Sequence, residues 1–577
     1  MVYAKPDKRA IFFASMSSAL HKVCDILPEI LLAIAVDVVV RQKESVVAMY
    51  VGVIEPAHQL YLVATVTTIL WAFESLFEYL YFITWHHLAQ SIQHTIRLET
   101  YKKIQSMDLA YFEDKTIGGL QTILHDDVVQ LENFLSQGPN EVIQLSVNII
   151  VIGTLFMLIS PTLFFLTLIP IPAVVFIAYH FQRRLSLQYK RMRNVVTSMT
   201  SHLVYRLQGL ATIKSYSTQE YELQNLIAES NRYQQAYRQV DHVTAQYIPL
   251  VRIAVVVGFL TTMIVGGLKV LAGTIAVYWY AELVFLIQRF LWPFASLTTI
   301  TDMYEKSKAS AGRILNVLET HPTIVDGTES VDLRSCPGTI EFDHVSFKYS
   351  NGNVIFDDLS LNIEQRSTVA FVGTTGSGKS TLAKLLLRFY DVQTGAIKID
   401  GHNIKNIRLA DLRASIGLVS QDVYIIDGTI AENIAYGTFS VSREKIIEAA
   451  KMAHIHDFIM EFPLGYDTRL EEYGKKLSGG QRQRISIARA LLKKACIFIF
   501  DEATSALDNE TEAAISKSMD QLRHNHTIII IAHRLSTVRN ADTIFVVDHG
   551  VVVESGTHDD LLAKKGIYAQ LWNMQLE

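Results

Sequence analysis

Eight consecutive residues carry the most specific chemistry in this chain of 577. Gly373-Thr374-Thr375-Gly376-Ser377-Gly378-Lys379-Ser380 spells GxxxxGKS, after the β-branched run 369–372 and before a helical stretch that begins at Thr381. Glycines at that spacing let main-chain N–H groups curl around phosphate, Lys379 reaches its outer oxygens, and the Ser380 hydroxyl suits a magnesium ion. A chance glycine-rich turn needs neither the strand before nor the helix after. A second acidic element, Cys496-Ile-Phe-Ile-Phe-Asp501-Glu502, puts two carboxylates at the end of a hydrophobic strand, where a parallel sheet presents side chains to a ligand. Asp501 suits a magnesium shell. Glu502 can orient or deprotonate a water, because in-line phosphoryl transfer needs a positioned nucleophile more than covalent chemistry. An acidic pair after a strand is by itself as readily a helix cap, and only the neighbouring phosphate loop favours the catalytic reading.

Between these elements stands Leu477-Ser478-Gly479-Gly480-Gln481, followed by a helical stretch to Leu492. With this pentapeptide between two phosphate motifs, the chain resembles the ATP-binding cassette superfamily. The resemblance implies ATP and magnesium as cofactors, with residues 373–381 around the phosphates. It also implies that Ser478, Gly479, Gly480 and Gln481 open a helix N-terminus toward the γ-phosphate of ATP held by a partner chain, since helix N-termini favour anions. Two half-sites that cannot serve each other imply a dimer. Other positions match the family singly: Tyr349 resembles the aromatic that stacks on adenine, and Gln421 the glutamine that contacts magnesium and links to the membrane domain. Asp508 lies in Ser505-Ala-Leu-Asp508, which resembles the segment exchanged across the dimer, and His533 resembles the switch histidine at the γ-phosphate. Alone, each of these would be an ordinary edge, surface or structural residue.

The elements that position this chemistry fall into two halves. Hydrophobic residues make up 50% of the sequence and charged residues 19%, so disordered and disulfide-scaffold classes are excluded; a net charge of −5 offers no basic footprint for nucleic acid. Cys24, Cys336 and Cys496 form no CxxC pair. The apolar residues gather in six runs, near 18–40, 58–85, 141–158, 161–181, 248–271 and 278–300. A hydrocarbon core of about 30 Å needs roughly 20 helical residues, so these read as six membrane-spanning helices. The first run is too long for a signal peptide and is expected to stay attached. Arg97, Lys102, Lys103, Arg183, Arg184, Lys190, Arg191 and Arg193 follow the second and fourth runs, which puts both termini in the cytoplasm. After Gly338, short β-branched strands alternate with amphipathic helices, as in an α/β domain with a largely parallel sheet. The expected organisation is a six-helix transmembrane domain (1–320), a linker (321–337) and a nucleotide-binding domain (338–577).

Six spans ahead of one cassette resemble a half-transporter of the lipid and multidrug exporter type. The resemblance implies a bacterial-type inner membrane, an amphiphilic substrate, and alternating access by a homodimer. One half of a heterodimer, an importer of a small chelate, and a nucleotide-gated channel are the alternatives. Tyr111-Phe-Glu-Asp114, Gly118, Leu120, Leu124 and Asp127 resemble the first cytoplasmic coupling loop, and Gly209 with Lys214-Ser-Tyr216 the second. Ile123 stands where an arginine is frequent, and Arg469 where exporters usually place a glutamate. Within the apolar runs, Asp25, Glu29, Glu74 and Glu78 outnumber Arg252 and Arg289, which suggests a cavity that prefers cationic or zwitterionic amphiphiles.

Overall fold

The computed structural model describes residues 8–333, 337–438, 440–470, 477–502, 512, 517, 519, 522–523, 525–532 and 534–576. The chain divides into two compact units, Met1–Gln105 with Ile117–Thr320, and Ser106–Thr116 with His321–Glu577.

Helices up to the division near residue 320 are α1 (Lys8–Arg41), α2 (Val46–Val51), α3 (Pro56–Gln105), α4 (Leu109–Asp114), α5 (Ile117–Thr122), α6 (Val128–Ile159), α7 (Pro161–Leu168), α8 (Pro170–Gln208), α9 (Leu210–Ser215), α10 (Gln219–Leu271), α11 (Val277–Leu291) and α12 (Pro293–Glu319). All but α4 belong to the first unit. The breaks follow local chemistry. Ser160 caps α7 by accepting from Leu163 N, with Pro161 in the first turn, and Gly52 ends α2 in a left-handed conformation. Five helical segments among the described residues, beginning at Pro56, Gly118, Pro161, Gln219 and Val277, are long and apolar enough to cross a membrane. Only 6% to 39% of each apolar window is buried, so most of that apolar surface faces outward and needs a hydrocarbon solvent. The remaining expected run, the first (18–40), lies in α1, whose 34 residues are long enough but carry Lys22, Asp25, Glu29 and Asp37.

Those charges are partnered. Asp25 accepts from Lys22 Nζ at 2.7 Å and from Arg289 Nη1 at 2.9 Å, and Arg289 Nε meets Glu29 Oε1 at 2.6 Å. Arg289 therefore bridges α11 to two successive turns of α1. Glu74 is half-buried, while Glu78 and Arg252 are exposed. The expected count left out Lys22 and Lys269, and also Asp37, Glu141 and Glu282, so the acidic surplus of these runs persists. A second buried charge, Asp127, accepts from Ser310 Oγ at 2.9 Å and from Arg313 Nε at 2.7 Å, fastening α12 to the turn before α6.

The second unit contains β1 (Ile340–Lys348), β2 (Val354–Ile363), β3 (Thr368–Val372), β4 (Thr394–Ile399), β5 (His402–Asn403), β6 (Ile416–Val419), β7 (Gly428–Thr429), β8 (Arg469–Leu470), β9 (Ile497–Asp501), β10 (Thr527–Ile531), β11 (Thr543–Asp548) and β12 (Val551–Gly556). Its main sheet has the order β12-β11-β3-β10-β9-β6, parallel except at β12. Helices α13 (Lys379–Leu386), α14 (Leu409–Ser415), α15 (Ile430–Ile434), α16 (Arg443–Met452), α17 (His456–Met460) and α18 (Gly479–Leu492) intervene. Alternation along β3 sends Ala370 and Val372 into one apolar core and Val369 and Phe371 into another. A separate antiparallel sheet, β2-β1-β4-β5, covers the second core, and sequence reading missed it. Its signal was the buried alternation of Ile340, Phe342, Val345 and Phe347 on β1.

The stretch expected to be a linker is bonded along the cassette. Glu329 N donates to Asn406 O at 2.9 Å, Leu409 N donates to Asp326 Oδ1 at 2.7 Å, and a Cβ on Gly327 would meet Asn406 O at 2.2 Å. Arg388, among the largest fully buried side chains, joins this seam by donating to Val325 O at 3.0 Å and Asp391 Oδ1 at 2.7 Å. Asp391→Ala leaves that guanidinium buried without its counter-charge, a loss of about 3–5 kcal/mol. The thermal midpoint of the full chain in detergent should fall by about 6 °C or more; an unchanged midpoint contradicts this role.

Candidate functional site

The phosphate-loop sequence forms a cradle closed by glycine. Gly373, Gly376 and Gly378 have φ of +149°, +86° and +104°, a region that side-chain-bearing residues rarely adopt. A Cβ at Gly373 would lie 2.0 Å from Val547 O, and at Gly378 2.9 Å from the Phe356 ring, whereas Gly376 faces open space. Gly378 caps α13 without a side chain, so the first-turn N–H groups remain available to an anion. Lys379 is 5% exposed and donates from Nζ to Gly373 O at 2.9 Å and Thr374 O at 2.8 Å. Burial pushes this ammonium below the ordinary lysine value, against the pull of the Glu502 and Asp501 carboxylates. A buried cation beside unfilled main-chain donors is a site for a multiply charged anion.

Strand register delivers the rest. β6 pairs in parallel with β9, Val419 opposite Phe500, so residues two beyond each emerge side by side. Gln421 Nε2 accordingly donates to Glu502 Oε2 at 2.6 Å. Glu502 takes φ of +51°, with its N–H donating to Ile531 O at 2.9 Å, which turns the chain sharply at the strand end. Ser380 Oγ lies 3.1 Å from Asp501 Oδ1, bringing two hard oxygen ligands together at the start of α13. Among the described residues no group of three or more His, Cys, Asp or Glu side chains could hold a metal alone. The pair fits magnesium, which takes one or two protein oxygens and completes its octahedron with phosphate and water.

Tyr349 follows β1 and shares a hydrogen bond with Thr381 Oγ1 at 3.0 Å, standing edge-on to Tyr390 with ring centres 5.2 Å apart. Lys384 Nζ lies 5.7 Å from the Tyr349 ring centre and donates to Glu113 Oε1 at 3.1 Å. Burial opposes its charge, but the hydrogen bonds and charge of Glu113 and Tyr349 together outweigh it and raise its pKa. Sequence reading quoted Glu113 inside a coupling-loop motif without giving it a partner. It missed Asp108, which accepts from Thr323 N at 2.5 Å and Thr323 Oγ1 at 2.6 Å. The segment 106–116 is thereby fastened to the nucleotide unit at two points.

Ser478 stands apart from the phosphate loop. It caps α18 reciprocally with Gln481: Gln481 N donates to Ser478 Oγ at 3.2 Å and Ser478 N to Gln481 Oε1 at 2.7 Å. The N–H groups of Gly479 and Gly480, in the first two helical positions, are left without partners inside the helix. α18 packs on α15, α16 and β6, at the sheet edge. β3 lies three strand spacings inward, about 14 Å away. Arg469 approaches Asp427 at 3.4 Å, both largely exposed. Asp508 and His533 lie outside the described residues.

Comparison with known proteins gives matches to the ABC transporter transmembrane region over residues 11–293 and to the ABC transporter domain over residues 356–505. An uncharacterized ABC transporter ATP-binding protein of Bacillus subtilis (strain 168) is 32% identical over 505 residues, 88% of each chain. An ATP-dependent lipid A-core flippase of Syntrophus aciditrophicus (strain SB) is 34% identical over 490 residues, 85% of this chain and 81% of that one. The solved structure of a bacterial Atm1-family ABC exporter with ATP bound superposes with a TM-score of 0.83 at 28% identity, covering 99% of both chains.

The placement of Glu502 yields a direct test. Glu502→Gln should bind ATP with near-normal affinity and lose hydrolysis by a factor of about 10² or more. Wild-type turnover in the purified variant rules out Glu502 as the base.

Proposed function

The chain belongs to the ABC transporters, and we propose that it acts as a homodimeric exporter of an amphiphilic substrate, of the lipid-flippase and multidrug type. It is an ATP hydrolase coupled to transport. Two chains present six spans each, α1 supplying the first, with both termini in the cytoplasm of an inner membrane. ATP closes the two nucleotide units and the membrane halves alternate between inward- and outward-facing states. Nucleotide drives this only through a higher affinity for the closed state.

Each residue has a definite task in this reading. Tyr349 stacks on adenine; residues 373–381 hold the phosphates; Lys379 exchanges its two loop carbonyls for phosphate oxygens. Ser380 and Asp501, with Gln421, hold magnesium, which supplies charge neutralisation at the phosphates. Glu502, oriented by Gln421, takes the proton of the attacking water, and Ser478 with the Gly479 and Gly480 N–H groups completes the site of the other chain. Asp508 and His533 are assigned to the same closed dimer. The segment 106–116 carries the motion, being continuous in sequence with α3 and bonded to the nucleotide unit through Asp108 and Glu113.

One observation carries the proposal: the unpartnered N–H groups opening α18 lie at the sheet edge, away from the phosphate loop of the same chain. The test mixes a Lys379→Ala chain with a Ser478→Arg chain. Each variant alone should fail to bind ATP in a closed dimer, while the mixed dimer holds one intact composite site and should recover binding there. Absence of recovery in verified mixed dimers contradicts the shared site.

A further inference from the structure

The segment 106–116 and the tyrosine assigned to adenine meet at one lysine. Lys384 lies on α13, five positions beyond Lys379, which turns its side chain about 140° around the helix from the phosphate lysine. Its Nζ stands 5.7 Å from the Tyr349 ring centre and 5.9 Å from that of Tyr390, and donates to Glu113 Oε1 at 3.1 Å. The two rings themselves meet edge-on. One ammonium is thus shared between a carboxylate of segment 106–116 and two aromatic rings.

Phe347, Asn353 and Thr381 hold Tyr349 from within its own fold. Its hydroxyl shares a hydrogen bond with Thr381 Oγ1 at 3.0 Å, its N–H donates to Asn353 O at 3.1 Å, and its ring meets Phe347 edge-on with centres 5.0 Å apart. Lys384 joins it instead to the segment that leaves α3. The Lys384 and Glu113 side chains are 36% and 44% exposed, a depth at which an ion pair adds little stability by itself. What the pair does is fix where the ammonium stands. Freed of Glu113, a flexible four-carbon stem carries it into water; held by Glu113, it stays against the ring.

We propose that Lys384 is a positioning residue that ties the binding of the ATP base at Tyr349 to Glu113, so that segment 106–116 and the base are coupled through one ammonium. The proposal rests on the reading that Tyr349 stacks on adenine. Coupling between two sites is reciprocal: a base that steadies Tyr349 and Lys384 steadies Glu113, and releasing Glu113 lowers ATP affinity by the same factor. A partly exposed cation–π contact sets that factor at about threefold. Motion that draws segment 106–116 away from Lys384 then weakens ATP through its base rather than through its phosphates.

The experiment measures equilibrium affinity for ATP and for inorganic tripolyphosphate, which has no base, in the full chain in nanodiscs with Glu502→Gln as the parent to prevent turnover. Glu113→Gln and Lys384→Met should each weaken ATP about threefold, and the two together no more than either alone. Lys384→Arg keeps a cation for the carboxylate and the rings and should bind ATP as the parent does. Tripolyphosphate should bind all of these variants equally. Tyr349→Leu removes the stacking ring and should weaken ATP about tenfold, and in that background Glu113→Gln should have no further effect. A loss shared by tripolyphosphate, or a Glu113→Gln loss that is the same with and without the Tyr349 ring, overturns the proposal. A tenfold loss in Tyr349→Leu beside parental affinity in Glu113→Gln strikes the proposal alone, whereas parental affinity in Tyr349→Leu strikes the stacking reading and the proposal with it.

Discussion

The nucleotide half is organised around a lysine ammonium held almost out of water by the carbonyls of its own loop. Lys379 is buried because Gly373, Gly376 and Gly378 take backbone conformations closed to other residues, and because Val547 and Phe356 crowd the positions where a Cβ would stand. In that state the cation is solvated by Gly373 O and Thr374 O, a weaker arrangement than a phosphate would offer. The free N–H groups of the first turn of α13 add to the same demand for negative charge. Everything downstream answers to that anion. β9 ends in Asp501 and runs on into Glu502, the chain leaving β6 supplies Gln421 in register, and Tyr349 stands beside Thr381 on the helix that the loop begins.

In the membrane half the governing constraint is the opposite one, that charge be cancelled wherever water is scarce. Arg289 reaches two carboxylates on α1, and Asp127 receives a guanidinium and a hydroxyl from α12. Such pairs stabilise little relative to well-packed apolar groups, yet breaking one leaves an uncompensated charge, so they specify which helices lie together. Not every buried polar atom of this half is satisfied: Glu29 Oε2, Asn148 Oδ1 and Glu282 Oε1 are buried without hydrogen-bond partners.

What could be read from sequence was local. GxxxxGKS, the acidic strand end and the LSGGQ run each span a few adjacent residues, and their chemistry depends on spacing that the chain itself imposes. Parallel strands were legible for the same reason, from β-branched runs such as Ile528-Ile-Ile-Ile531. Contacts across long separations were not. Arg289 and Asp25 are 264 positions apart, Asp108 and Thr323 are 215 apart, and no periodicity announces either pair. The charge count inside the membrane left out Lys22, whose place three residues before Asp25 made it a partner, and with it Lys269, Asp37, Glu141 and Glu282. The Gln421–Glu502 bond depended on the register of β6 against β9, which follows from the order of strands in a folded sheet.

The central claim is that one chain holds two incomplete halves of an ATP site and that hydrolysis belongs to the pair. The most direct measurement is the particle mass of the purified full chain in nanodiscs, taken alongside its specific ATPase activity as dimers are diluted into single-chain discs. The account predicts that activity follows the two-chain fraction and vanishes with it. Single-chain discs that hydrolyse ATP at the full rate per chain would contradict it.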